Sequence, residues 1–62
     1  MINSLDTYKI AGRNAGRALK RGDGSSYHYW SAYAQRLRLA EAREDQGQAR
    51  AAYQAGYRES GL

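Results

Sequence analysis

The sequence of 62 residues carries a net charge of +4 and contains no cysteine. A chain of this length forms one domain, residues 1–62, and buries only about 60% of the surface that its unfolded form exposes. Without cysteine it has no disulfide bond and no thiolate metal site. No apolar run approaches the roughly 20 residues of a membrane-spanning helix, so we expect a cytoplasmic protein with no membrane partner.

The large apolar area lies mostly in six tyrosines and one tryptophan, rings with polar tips that often lie at interfaces. Because so small a core is only marginally stable, we expect a partner to contribute, and a homodimer is one candidate. Residues 1–22 hold five basic residues and one acidic residue, whereas residues 23–62 hold five of each. The first third of the chain is therefore expected to meet an acidic partner.

Helix 1 is predicted over about residues 4–21, with Asn3 or Ser4 as its cap and Asp6 in its first turn. One face is small or apolar and carries Leu5, Tyr8, Ala11, Gly12, Ala15, Gly16, Ala18 and Leu19. A separate arc forms a basic ridge of Lys9, Arg13, Arg17, Lys20 and Arg21. We expect the small residues to pack against the rings of helix 2, with a dimer seam as the alternative.

Helix 2 is predicted over about residues 26–45, after a turn in which Gly22 ends helix 1 and Ser25 or Ser26 caps the new helix. Most of its rings share one face, which is typical of a core stripe, and Tyr27 and Tyr29 lie at the margin. The predicted core is centred on five large side chains, which are Trp30, Tyr33, Leu37, Tyr8 and Leu19.

Helix 3 is predicted over about residues 48–59, following a break near Gly47. A glycine inside a helix costs only about 1 kcal/mol relative to alanine, so one continuous helix over residues 26–59 is the alternative. The fold class is accordingly all-α, a small two- or three-helix bundle.

The basic ridge is the feature that points most directly to a function. Steps of four residues align four of its cations along one side of helix 1, where each can reach a successive phosphate; these are Lys9, Arg13, Arg17 and Arg21. Side chains that would stack on bases or line an interface are Tyr27, His28, Tyr29, Tyr57 and Arg58. A second basic set recurs every seven residues, at Arg36, Arg43 and Arg50.

Enzymatic chemistry finds little support in the sequence. His28 is the single histidine, and no residues with metal-ligand spacing surround it. Glu41, Glu44 and Asp45 are expected to form an exposed acidic cluster without the pocket that acid–base catalysis requires. We therefore expect no catalytic residue, metal site, cofactor or small-molecule substrate.

Two stretches, YKIAGRNAGR (Tyr8 to Arg17) and YQAGYRES (Tyr53 to Ser60), resemble the first helix and the ending of the ribosome modulation factor family. The family reads approximately Gly-Tyr-x-Ala-Gly-x-x-Gly-Arg and Trp-x-x-Gly-Trp-Arg-Glu-Ala. Here tyrosine replaces both tryptophans, the family's Cys-Pro-Tyr loop is absent and the connection is longer. The resemblance implies a small helical, ribosome-associated protein that contacts ribosomal RNA and represses translation. It carries the family pattern over to Tyr8, Ala11, Gly12, Gly16, Arg17, Tyr53, Gly56, Tyr57, Arg58 and Glu59.

The sequence thus predicts a small basic helical protein that contacts RNA, with the ribosome as a target, through the basic ridge. The alternative is a mobile-element or phage-type protein that inhibits a host machine, a defence complex or a polymerase, by binding an acidic protein surface. A sequence-specific DNA-binding repressor fits less well, because helix 2 presents rings where base-reading polar side chains are needed.

Overall fold

The computed structural model describes residues 4–61, which fold into three helices, α1 (Leu5–Arg21), α2 (Gly24–Leu39) and α3 (Arg43–Glu59). These residues contain no strand, so the predicted all-α three-helix bundle is confirmed. α1 lies against both other helices, whereas α2 and α3 touch each other least. No helix in this described part of the chain combines the length and the hydrophobicity that a membrane crossing requires.

Local hydrogen bonds set both ends of α1. The Ser4 hydroxyl accepts a hydrogen bond from the Asp6 amide at 3.2 Å; Asn3, the other predicted cap, lies outside the described residues. Gly22 ends the helix in the left-handed conformation, with a φ of 78°, and its amide donates to carbonyls of the last turn. A glycine adopts this conformation without the steric penalty of a side chain, which is why α1 ends where the sequence predicts.

α2 begins two residues earlier than predicted, because Asp23 is its N-cap and not Ser25 or Ser26. The Asp23 carboxylate accepts hydrogen bonds from the Ser26 amide at 3.0 Å and from the Ser26 hydroxyl at 2.7 Å. These bonds lower the pKa of Asp23 below its ordinary value of 3.8. The aspartate therefore stays charged at neutral pH at the positive end of the helix dipole.

The chain reverses at residues 40–42 and not at Gly47. The predicted end of helix 2 at 45, the predicted start of helix 3 at 48 and the continuous alternative are all wrong, since α2 ends at Leu39 and α3 begins at Arg43. Gly47 lies exposed inside α3, and open space surrounds the position that its missing side chain would occupy. The helix tolerates it at a cost of about 1 kcal/mol.

Glu41 explains why the reversal falls where it does. Its side chain turns into the bundle and is 8% exposed, and its Oε2 accepts a hydrogen bond from the Tyr8 hydroxyl at 2.7 Å. The Gln46 side-chain amide donates to its carbonyl oxygen at 3.2 Å. The expectation that Glu41 joins Glu44 and Asp45 in an exposed acidic cluster is therefore wrong: it holds the turn against α1.

Small side chains dominate the core. The buried apolar residues are Tyr8, Ala11, Ala15, Ala18, Ala34 and Ala49, and Tyr8 is the one large, fully enclosed side chain among those described. The predicted core of large residues is wrong at Leu19, which is 46% exposed. Trp30, Tyr33 and Leu37 are half-buried. The small face of α1 lets its neighbours approach closely, so little interior volume is left for rings.

α1 and α3 cross at backbone contact distance. A Cβ atom on Gly12 would overlap the carbonyl oxygen of Tyr53, and one on Gly56 would overlap the carbonyl oxygen of Lys9. A Cβ on Gly16 would meet the side chain of Ser60. The small patch of α1 does pack within the chain, as predicted, and its two glycines lie against α3. The patch is thereby covered and is not free to form a dimer seam.

Candidate nucleic-acid interface

The N-terminal half of the basic ridge is paired with a carboxylate that the sequence did not bring near it. Lys9 Nζ lies 2.9 Å from Glu59 Oε2, and Arg13 Nη2 donates to Glu59 Oε1 at 2.8 Å. Hydrogen bonds from Lys9 and then Arg13 lower the pKa of Glu59 below its ordinary value of 4.5. Glu59 is the last residue of α3, and only the crossing of α1 and α3 places it beside the basic ridge.

The C-terminal half of the ridge is less neutralised. Arg21 Nη2 lies 3.4 Å from Asp23 Oδ2, and both groups face solvent. Arg17 and Lys20 are exposed, and neither forms an ion pair with any residue in 4–61. This end of α1 therefore presents three cations and one nearby carboxylate.

The ion pairs on the ridge are weak enough to be exchanged. The side chains of Lys9, Arg13 and Glu59 are 41%, 35% and 42% exposed, and ion pairs that face solvent contribute little to stability because water and salt screen them. Residues four apart on a helix are about 6 Å apart along its axis, which suits a row of phosphates. A polyanion can thus replace Glu59 as the partner of Lys9 and Arg13.

A groove of about 350 Å³ opens between α2 and α3, where the two helices diverge. Tyr8, Ala34 and Ala49 lie at its base, and its other lining residues are Tyr27, Ser31, Gln35, Arg38, Arg50, Tyr53 and Gln54. Tyr53 spans the groove, since its hydroxyl lies 3.2 Å from the Ser31 hydroxyl oxygen.

A second depression of about 290 Å³ continues the groove toward the end of α3. Both share Tyr27, Tyr53 and Gln54, and the second adds Tyr57 and Arg58. The Tyr53 and Tyr57 rings stack with their centroids 6.5 Å apart. Burial, with a smaller effect of the two neighbouring tyrosines, raises the pKa of Tyr57 above its ordinary value of 10.0. Its hydroxyl therefore keeps its proton at neutral pH.

The structure divides the predicted stacking residues into two groups. Tyr27, Tyr57 and Arg58 meet at the groove between α2 and α3. His28 is exposed on α2 and lines neither depression, and Tyr29 is 57% exposed. Tyr29 instead belongs to a ring cluster on α2, edge-on to Trp30 at 5.1 Å and parallel to Tyr33 at 6.3 Å.

The sequence did not indicate that Gln35, Arg38, Tyr53 and Gln54 line a common groove. Arg50 was noted only for its seven-residue spacing, and the break at residues 40–42 now separates it from Arg36 on another helix. On a helical wheel Arg38 and Tyr53 each lie about 40° from the buried alanine of their helix, Ala34 or Ala49, whereas the exposed Gln35, Arg50 and Gln54 lie about 100° or more away. Only the reversal point, which the sequence did not reveal, shows that the two faces meet.

No family model, curated protein or solved structure matches this chain. The resemblance to the ribosome modulation factor family therefore stays a prediction from its two motifs.

Proposed function

We propose that this protein binds RNA, with the ribosome as a candidate target, through the basic ridge of α1. The observation that supports the proposal most directly is the C-terminal half of the ridge, where Arg17 and Lys20 are exposed without an ion pair among the described residues. Arg21 completes this half beside Asp23. Arginine side chains form forked contacts with phosphate, and three cations on one helix end suit a phosphate backbone.

The N-terminal half of the ridge supports the same proposal in a different way. Lys9 and Arg13 are held side by side by Glu59 in the unbound protein. A phosphate that competes with the Glu59 carboxylate has to break only two exposed ion pairs, and it then meets two cations that lie next to each other.

The experiment is a comparison of RNA affinities between two doubly substituted proteins. Arg17→Gln with Lys20→Gln removes two charges from the ridge, and Arg36→Gln with Arg43→Gln removes two exposed charges elsewhere. Since charged hydrogen bonds contribute about 1.5 kcal/mol each, the ridge variant is expected to lose tenfold or more in affinity relative to the control. Equal losses in the two variants would show that only the net charge matters and would contradict a site on α1.

The alternative, an inhibitor that binds a host protein complex, is separated by capture from a lysate with and without nuclease treatment. Ribosomal particles or RNA that disappear after RNase treatment support the proposal. One stoichiometric protein that survives both RNase and DNase would overturn it.

A further inference from the structure

The groove between α2 and α3 combines three kinds of side chain that recur where proteins hold nucleotides. Aromatic rings come from Tyr27, Tyr53 and Tyr57, each of them half-buried with part of its surface in the groove. Amides come from Gln35 and Gln54, both exposed at the rim. Rings stack on bases, and amide groups form hydrogen bonds with base edges.

The charge of the groove is of one sign. Guanidinium groups come from Arg38, Arg50 and Arg58, and none of the described lining residues carries a carboxylate. None of the three arginines forms an ion pair within residues 4–61. Glu41, which follows α2, is buried and accepts a hydrogen bond from the Tyr8 hydroxyl. An anionic ligand with flat, polar-edged rings is complementary to this surface.

We propose that the groove between α2 and α3 binds unpaired nucleotides of RNA, with bases against the tyrosine rings and phosphates on the arginines. This inference rests on the proposed function, because it says which part of the RNA the groove binds in addition to the contacts of the basic ridge. A volume of about 350 Å³ lies at the lower end of the range of about 300–1,000 Å³ that small-ligand pockets span. Bases of a duplex are stacked and paired, so only single-stranded segments supply the ligand.

An acidic protein segment fits the groove less well. Its carboxylates would use the arginines and its backbone the glutamine amides, but acidic side chains offer no flat ring to stack on the three tyrosines. RNA uses all three kinds of side chain at once, which is why the two surfaces of this molecule are assigned to one partner. The ridge residues of α1 do not line the groove, so the two surfaces can be altered separately.

The test uses an oligo-uridine RNA of about ten nucleotides, within the range of single-stranded sites, and an abasic strand with the same number of phosphates. Tyr27→Leu removes a ring from the groove, and Tyr27→Phe keeps it. Wild type and Tyr27→Phe should bind the base-bearing strand more tightly than the abasic strand by about 5- to 150-fold, and Tyr27→Leu should lose that preference. Arg50→Gln should weaken binding of both strands more than the matched charge control Arg36→Gln.

The outcomes distinguish the groove from the ridge. Failure of the wild type to bind either strand overturns the proposed function and this inference together. RNA binding that depends on Arg17 and Lys20, yet treats both strands alike and is insensitive to Arg50→Gln, overturns only the groove. Displacement of the RNA by an oligoglutamate peptide from wild type, but not from Arg50→Gln, would assign the groove to an acidic protein. Arg50→Gln changes an exposed side chain, so the test does not depend on how Tyr27→Leu affects folding.

Discussion

The interface between α1 and α3 and the interface between α2 and α3 use opposite kinds of residue. In the first, Gly12 and Gly56 bring two backbones into contact, and no side chain separates them. In the second, the helices diverge, and tyrosine, arginine and glutamine line the space between them. The difference shows how a chain with few large apolar residues stabilises its fold and still keeps an open groove lined by aromatic and cationic side chains.

Close packing at one interface makes the open groove at the other possible. Dispersion contacts between backbones add up when no side chain intervenes, and they need no large apolar group. α1 and α3 approach each other through small residues, and the rings of Tyr27, Tyr53 and Tyr57 remain half-buried on α2 and α3. Tyr8 joins the two regions, because it is fully buried in the bundle and lies at the base of the groove.

The largest expected effect comes from adding one methyl group to the close crossing. Gly12→Ala and Gly56→Ala each place a Cβ on a carbonyl oxygen of the facing helix, so α1 and α3 must separate. Overpacking of this kind costs typically 1–3 kcal/mol or more, a large part of the stability of so short a chain. We expect thermal unfolding, followed by circular dichroism, to shift down by about 10 °C or more.

The matched control is Gly47→Ala in α3, which meets no neighbouring atom. It should raise the free energy of unfolding by about 0.5–1 kcal/mol, because alanine is the better helix former. If Gly56→Ala and Gly47→Ala behaved alike, the α1–α3 crossing would not be the close contact that the structure shows.

The next effect concerns the hydrogen bond that joins the core to the turn after α2. Tyr8→Phe removes the donor to the buried Glu41 and leaves the ring in place. We expect a loss of about 1–3 kcal/mol in denaturant unfolding, whereas Tyr29→Phe, which removes an exposed hydroxyl, should change stability by less than about 0.5 kcal/mol. A loss in Tyr8→Phe no greater than in Tyr29→Phe would mean that Glu41 does not hold the turn.

The smallest effect on stability is expected from Glu59, whose ion pairs with Lys9 and Arg13 are exposed at the edge of the α1–α3 crossing. Because Lys9 and Arg13 lower the pKa of Glu59, this carboxylate favours the folded state above its ordinary pKa of 4.5. That contribution is lost as the pH falls through the lower pKa of the folded state. Below about pH 4.5 the wild type should therefore lose stability, and Glu59→Gln should lose less over the same pH range. The measurement is the midpoint of unfolding as a function of pH.

A substitution of Glu59 also distinguishes RNA binding at the basic ridge from RNA binding at the groove. Glu59→Gln frees Lys9 and Arg13 for phosphate, so RNA affinity should rise more than in Glu44→Gln, which removes an exposed carboxylate from the first turn of α3. The preference for base-bearing over abasic RNA should stay unchanged in both. A rise of equal size in the two variants would indicate a general effect of net charge.

Local signals in the sequence were sufficient for the fold class and for the bounds of α1. Ser4 and Gly22 act as caps through bonds within a few residues, and such bonds can be inferred from residue type. The reversal at residues 40–42 could not be, because it depends on a hydrogen bond from Tyr8 to Glu41 across 33 positions. Gly47 is the stronger local breaker, and tertiary contact overrides it.

The candidate site was predicted as a row of cations and a separate set of stacking residues, and not as two surfaces. Periodicity identified the ridge, but the approach of Glu59, 46 positions from Arg13, follows from the glycine crossing. The groove was missed for the same reason. Its walls lie on two helices, and the rings of α2 were assigned to a core that alanine and glycine fill instead.

The measurement to make first is the salt dependence of RNA affinity, because it reports how many phosphates the basic ridge of α1 neutralises. Arg17, Lys20 and Arg21 each neutralise one phosphate in this account, and each phosphate adds about 0.7 to the slope of log affinity against log salt for single strands. A slope of about 2 or steeper is predicted for the wild type, and it should become shallower by about 1.4 in Arg17→Gln with Lys20→Gln. An affinity that does not change with salt, or a slope that the two substitutions leave unaltered, would contradict the assignment of the basic ridge of α1 as an RNA-binding surface.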